Sequence, residues 1–303
     1  MSNGSIWCDG ELVGFDQATV HVLSHAANRG SEVFDVLRLV ATDDGPAVVG
    51  MRPHVARFDQ SMELMGMTNP FDIDTMERAI AETAAANPGA GVVKLIAAWT
   101  EIAMVSIPVS TTPSVYVAVI GDINQDPVIS EPVAVTVSSM PKIPASVLPP
   151  GLKVAAGYTP GLRQQMALAG TEFDEVIFRS VEGKLAEATT QSLMVVSGDR
   201  LIAPPLDTVL DGITRRLVMD AARSHGMAVE IRDVHWDEVE SADELVLSST
   251  NHFLRPLSRL DDRRFDAPGP VAQALANILH ETMAGRHDLS ARWLTPLSEI
   301  GSN

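Results

Sequence analysis

Apolar and polar residues alternate in short runs along most of this chain and give way to helical spacing in a few places. Residues 5–23 alternate about an Asp9-Gly10 turn, which predicts a hairpin. Residues 32–40 and 46–51 predict two more strands. Pro53 opens a run carrying Val55, Phe58, Met62, Leu64 and Met65, a helix over 53–66. A second helix is predicted from about Asp74 to Ala85, capped by Asp72 or Asp74 and ended near Pro88-Gly89. Strands follow at 91–99 and 114–120. Residues 122–132 are polar and contain proline, as a linker does. Beyond them, strands are predicted at 133–138, 175–180, 184–187, 192–197, 200–203, 228–232 and 244–248. Helices are predicted at 160–169, 213–225, 236–241 and 269–284. Residues 140–153 hold four prolines and exclude regular structure. The pattern describes an α+β protein: a small domain over 1–121, a linker over 122–132 and a larger domain over 133–303.

Composition narrows the function. Of 303 residues, 46% are hydrophobic and 20% charged, enough apolar mass for a substantial core. A formal net charge of -17 argues against a nucleic-acid partner and against an anionic membrane surface. The one cysteine, Cys8, excludes a disulfide framework and a Cys-rich metal site, and is expected as a small core residue. The N-terminus has neither a basic head nor an apolar core, and no run approaches the ~20 apolar residues of a membrane helix. A cytoplasmic location is expected. His21 and His25 are spaced like helical metal ligands, but Val20, Val22 and Leu23 predict extended chain there, and no metal is expected.

Lysine is scarce: Lys94, Lys142, Lys153 and Lys184 are all there are. Lys153 follows a Pro-Pro-Gly corner and has small or apolar neighbours. It is either a partly exposed loop lysine or a poorly solvated amine suited to Schiff-base chemistry. Glu187, in Lys-Leu-Ala-Glu-Ala-Thr-Thr, is either a strand-end carboxylate in water or the partner of a heteroaromatic nitrogen, which pyridoxal phosphate needs. The turn Leu210-Asp-Gly212 feeds a helix whose first amides, with Thr214, suit a phosphate, unless Asp211 simply caps them. Ser248-Ser-Thr250 ends a strand with hydroxyls. Arg57 is either an ion-pair partner of Asp59 or Asp35 or a bidentate phosphate ligand.

Taken together, Thr-Val-His-Val-Leu-Ser-His at 19–25, Val-Phe-Asp-Val-Leu-Arg at 33–38, His-Val-Ala-Arg-Phe at 54–58, Lys153, Tyr158, Glu187, Leu-Asp-Gly-Ile-Thr at 210–214 and Ser-Ser-Thr at 248–250 resemble the class IV aminotransferases. These are fold type IV pyridoxal-phosphate enzymes, and the group includes branched-chain, D-amino-acid and (R)-amine transaminases. The resemblance implies a larger domain with a barrel-like β core. It implies a ping-pong exchange of an amino group between an amino acid or amine and a 2-oxo acid. It makes Lys153 the catalytic amine that carries the cofactor and moves the proton. Tyr158 then bonds the cofactor's phenolic oxygen, Glu187 pairs with its ring nitrogen, and Leu210 packs under the ring. Arg57, Ile213, Thr214 and Thr250 hold the phosphate. A homodimer is implied, with the loop near 101–112 reaching the partner. The alternatives are an aminodeoxychorismate-type lyase of the same fold and a non-catalytic cofactor binder.

The sequence also departs from the branched-chain pattern. Arg29 stands where that branch has tyrosine before Gly30, Asp35-Val36 where it has Glu-Gly, Lys94 where it has arginine, and Ala155-Ala156-Gly157 where it has Gly-Gly-Asn. Phe34-Asp35-Val36 is closer to the D-amino-acid and (R)-amine branches. The loop after Trp99, however, lacks the arginine and histidine of D-amino-acid enzymes. Arg29 with Lys94 is therefore expected to supply the substrate carboxylate site, unless Arg29 is a surface arginine bridging to Glu32 and Lys94 a strand-end lysine paired with Glu101. Phe34, Val36 and Asn251 are also expected to touch substrate.

Overall fold

The computed structural model describes residues 4–102, 107–123 and 128–300. Residues 103–106, within the loop expected to reach a partner, and 124–127, within the expected linker, lie outside the described residues. The chain forms two units, Met1–Gln125 with Leu152–Ala156 and Met283–Asn303, and Asp126–Gly151 with Gly157–Thr282.

In the first unit, the turn at Asp9-Gly10 joins β1 (Ser5–Cys8) to β2 (Glu11–Gly14). β3 (Val33–Thr42), β4 (Gly45–Val49), β5 (Val92–Ala98) and β6 (Ser114–Ile120) extend them into one antiparallel sheet, closed at its far edge by the short strand Leu294–Pro296. Alternation along β3 and β5 buries Val33, Asp35, Leu37, Val93, Leu95 and Ala97 and leaves Phe34, Val36 and Lys94 on a more open face. A short helix, α1 (His25–Arg29), precedes β3. Helices α2 (Met51–Met65) and α3 (Ile73–Ala86) cover the buried face of the sheet. Val55, Phe58 and Met62 on α2 are at most 1% exposed, each contributing about 1.5–3 kcal/mol by leaving water. Pro53 sits in the first turn of α2, where its missing N–H costs nothing. Asp72 caps α3, accepting the Thr75 amide at 2.7 Å. Cys8 is half-buried rather than part of the core.

Two departures from the sequence reading occur in this unit. The first is α1 itself, capped by Ser24 and ended at Gly30, which takes φ 64°. The second is the placement in this unit of Met283–Asn303 and of residues 152–156, both expected in the larger domain. Phe34 N–H donates to Lys153 O at 3.1 Å, Ala155 N–H to Glu32 O at 2.8 Å, and Val154 bridges Val33. These bonds make the segment an added partner of β3.

The second unit is built on β7 (Val133–Val137), β8 (Glu175–Arg179), β9 (Leu185–Ala188), β10 (Ser192–Ser197), β11 (Arg200–Ala203), β12 (Ala228–Ile231), β13 (Glu244–Ser248), β14 (Arg255–Leu260) and β15 (Arg263–Arg264). The order β10-β13-β14-β7-β8-β9 returns to β10 through the pairing of Glu187 with Ser192, closing a barrel-like core. Val133, Val135, Ile177, Leu185, Leu193, Val195 and Leu247 pack together within it. Helices α4 (Thr159–Ala167), α5 (Ile213–Ser224), α6 (Trp236–Ser241) and α7 (Pro270–Met283) complete the unit.

Candidate active site

In the first unit, Lys153 is half-buried, and its Nζ stands 4.6 Å from the centre of the Phe34 ring. Its backbone N–H donates to Ser61 Oγ at 3.2 Å. Ser61, Arg57 and His54 recur at helical spacing along the covered side of α2. Lys94 is paired in register with Val36 and places its own Nζ 5.2 Å from the same Phe34 ring. Lys94 also forms an ion pair with Glu32 at 3.4 Å. Two cations thus flank one aromatic ring on the open side of the sheet. Arg29 is exposed at the end of α1. Gly30 after it approaches Ala156 so closely that an added Cβ would lie 3.2 Å from the Ala156 Cβ. The sharp αL turn at Gly30 therefore sets Arg29 near the residues that follow Lys153.

Arg57 is held by Asp35, one of the alternatives open in the sequence. Asp35 projects from the buried face of β3, opposite to Phe34 and Val36. Its Oδ2 accepts Arg57 Nε at 2.8 Å and its Oδ1 accepts Arg57 Nη2 at 2.8 Å. His54 Nδ1 lies 2.7 Å from the same Oδ1. Burial alone would raise the Asp35 carboxyl, but the charges and hydrogen bonds of Arg57 and His54 outweigh it and hold the group well below the usual carboxylate range. Burial pushes the His54 ring below its ordinary value.

In the second unit, one row of residues crosses three strands. Glu187 on β9 is opposite Ser192 on β10, and Ser192 is opposite Ser248 on β13. Two strand spacings separate the ends of the row by about 10 Å. At one end, Glu187 accepts the Lys142 ammonium on Oε1 and the Leu210 amide on Oε2, the latter at 3.2 Å. At the other, Ser248 Oγ is buried with no hydrogen-bond partner among the described residues. Gly212 closes onto the middle of the row: a Cβ there would lie 2.7 Å from Ser192 Oγ. Gly212, at the N-cap of α5, has no side chain to offer the amides of the first turn, and Ile213 and Thr214 are both buried in that turn. Asp211 pairs with the side chain of Arg216. A helix start with a bare glycine and the buried hydroxyls of Thr214, Ser192 and Ser248 form a donor set suited to a phosphate, on the same row as the Glu187 carboxylate.

The remaining expected residues fall as follows. Tyr158 is half-buried at the start of α4. Thr250 is half-buried and Asn251 exposed in the turn after β13. Lys142 and Ser192 were not anticipated; the scarcity of lysine was the one available hint for the first. Arg215, next to Thr214, was also missed. It is 1% exposed, its Nη2 donates to Pro204 O at 2.6 Å, and burial depresses its guanidinium below the ordinary value. No group of His, Cys, Asp and Glu suited to a metal occurs among the described residues, and no described helix is long and apolar enough to cross a membrane.

The sequence profile of amino-transferase class IV matches residues 32–260, and the chain belongs to that family. Its fold is fold type IV and it is an aminotransferase. Among particular proteins, it is similar to the branched-chain-amino-acid aminotransferase of Pseudomonas aeruginosa, 26% identical with 97% of each chain covered. A probable branched-chain-amino-acid aminotransferase of Thermotoga maritima is 34% identical over 47% of this chain and 52% of its own. Among solved structures, the branched-chain aminotransferase of the thermophilic archaeon Thermoproteus uzoniensis with norvaline superposes with a TM-score of 0.90 at 26% identity, covering 97% of this chain and 99% of its own. The branched-chain amino acid aminotransferase of Thermobaculum terrenum in PLP-form gives a TM-score of 0.88 at 27% identity, covering 98% and 99%.

Proposed function

We propose that this chain is a pyridoxal-phosphate-dependent aminotransferase for amino acids with apolar, branched-chain-type side chains, working by ping-pong exchange with a 2-oxo acid. The observation that supports this most is the row Glu187–Ser192–Ser248, with a sheltered carboxylate at one end and the Gly212 start of α5 closing on its middle. When bound, the cofactor supplies an electron sink for the bonds at the substrate Cα. Lys153 would hold the cofactor through its Nζ, and the same amine would serve as the general base that takes and returns the substrate proton. Glu187 would pair with the ring nitrogen, Tyr158 would donate to the phenolic oxygen and Leu210 would pack against the ring. Ile213, Thr214 and Thr250 would bind the phosphate, and Arg57, fixed by Asp35, would supply a guanidinium for it. Phe34 and Val36 offer apolar contact to the substrate side chain. Arg29 and Lys94 attract its carboxylate, and Asn251 lies at the substrate edge.

A second reading, action on D-amino acids or (R)-amines, draws on the segment Phe34-Asp35-Val36. Asp35 is turned away from Phe34 and Val36 into the buried face, so Phe34 and Val36 alone of the three carry that likeness to the open side.

The exposed apolar residues Val20, Val22, Leu23, Ile102, Ile107 and Val109 support a homodimer. Ser24 bridges Ile102, and Glu101 accepts the Val109 amide at 2.7 Å, so these residues belong to one connected region of the surface. The single cysteine fits a reducing cytoplasm.

The test is spectroscopic. The loaded protein is mixed in turn with L-leucine, D-alanine and (R)-1-phenylethylamine alone. Bleaching of the visible band by L-leucine, reversed by a 2-oxo acid, is the expected result. Bleaching only by D-alanine or the (R)-amine would favour the second reading, and no bleaching by any donor would reject transamination of all three classes.

A further inference from the structure

Lys142 has no place in the roles above, yet its position is specific. It stands in the proline-rich stretch before Lys153, and its backbone N–H donates to Arg179 O at 2.8 Å, tying that stretch to the end of β8. Its ammonium donates to Glu187 Oε1. The pair is largely sheltered, the Lys142 side chain 22% and the Glu187 side chain 13% exposed. The other oxygen of Glu187 is taken by the Leu210 amide. Arg215 and Glu187 also feel each other's charge, but the guanidinium's hydrogen bond goes to Pro204 O. Lys142 is thus the cation bonded directly to this carboxylate.

We propose that Lys142 is a positioning residue that acts through Glu187: it aims the carboxylate and keeps the proton shared with the cofactor's ring nitrogen on the nitrogen. This rests on the reading of Glu187 given above. A proton between two bases sits on the one that holds it more tightly. A cation bonded to one carboxylate oxygen stabilises the anion and weakens that carboxylate's hold on a proton. Shelter from water keeps the effect from being screened. A carboxylate offers about four lone-pair directions, so Lys142 and Leu210 leave room for a ring N–H. Without Lys142 the proton moves toward Glu187, and the ring becomes a weaker electron sink.

The experiment loads wild type, K142M, K142R and E187Q with pyridoxal phosphate labelled with 15N at the ring nitrogen, and reads the 15N chemical shift of each holoenzyme at neutral pH. The expected result is a protonated-type shift in wild type, a clear displacement toward the unprotonated value in K142M, and a return to near wild type in K142R. A merely structural lysine would alter thermal stability without moving this signal. If K142M does not fold, K142Q carries the same comparison. A displaced signal in E187Q with none in K142M or K142Q would overturn the proposal while leaving the role of Glu187 intact. An unmoved signal in E187Q would overturn both.

Discussion

Asp35 and Arg57 meet fork to fork beneath the sheet, with two hydrogen bonds of 2.8 Å, and the carboxylate is fully buried. His54 adds a third contact at 2.7 Å. Removing one charge from such a pair leaves the other uncompensated in the interior. Asp35→Asn is therefore expected to cost about 3–5 kcal/mol of stability, read as a shift in the urea midpoint. An unchanged midpoint would mean that Arg57 finds solvent or another partner.

The same carboxylate sets an acid limit. Its folded-state affinity for protons is depressed, so its contribution is complete above the unfolded aspartate value of about 3.9 and is lost as pH falls below that toward the lower folded value. His54 acts in a different window. Its folded value is depressed, so below about 6.5 the unfolded state binds a proton that the folded state refuses, and stability falls with pH from there. The thermal midpoint should therefore fall less steeply between pH 7 and 5 in His54→Gln than in wild type. Parallel slopes would show that His54 does not contribute.

Lys153→Ala should lower transamination by on the order of 10³-fold or more, since it removes both the attachment point and the base. Single-turnover bleaching with L-leucine measures it. Retention of a tenth of wild-type rate would assign the base elsewhere.

Gly212→Ala tests the phosphate seat. The glycine has ordinary φ, so the penalty is steric: the new Cβ would lie 2.7 Å from Ser192 Oγ and 3.1 Å from the Arg215 Cβ. Displacing the first turn of α5 should weaken pyridoxal phosphate about tenfold, equivalent to about 1.4 kcal/mol, and affect phosphate-free pyridoxal much less. Equal losses for the two would place the phosphate away from this turn.

Arg29→Ala should raise KM for 2-oxo acids far more than for simple ketones, because only the acids carry the group it attracts. Equal changes would reject a carboxylate role. The Lys94–Glu32 pair at 3.4 Å makes Lys94 the less available of the two cations.

Val22→Asp with Ile107→Asp places charges at residues 73% and 79% exposed. Sedimentation should shift from dimer to monomer with little change in the thermal midpoint. A wild-type monomer would remove this surface from consideration.

Alternation along β3, β5 and β6 and helical spacing along α2 and α3 made those elements legible, because each buries one face. β14 was hidden: Pro256 and the arginines along it mask a strand whose Pro256, Leu257 and Leu260 are nonetheless buried. α1 was hidden because five residues carry no period. Arg57 could be narrowed to a few partners, but only the facing direction of Asp35 on the pleat decides between them. Lys142 and Glu187 are far apart in sequence, and the loop that joins them in space has no periodic signal. The Ser192–Gly212 approach likewise depends on barrel closure, which local pattern does not encode.

The first unit draws strands and turns from three separate stretches. Val154 bridges β3, and Leu294–Pro296 pairs with β4. On the ribosome, therefore, the portion made earliest must wait for the last residues to emerge before its sheet has both edges. The portion encoded between them can finish first.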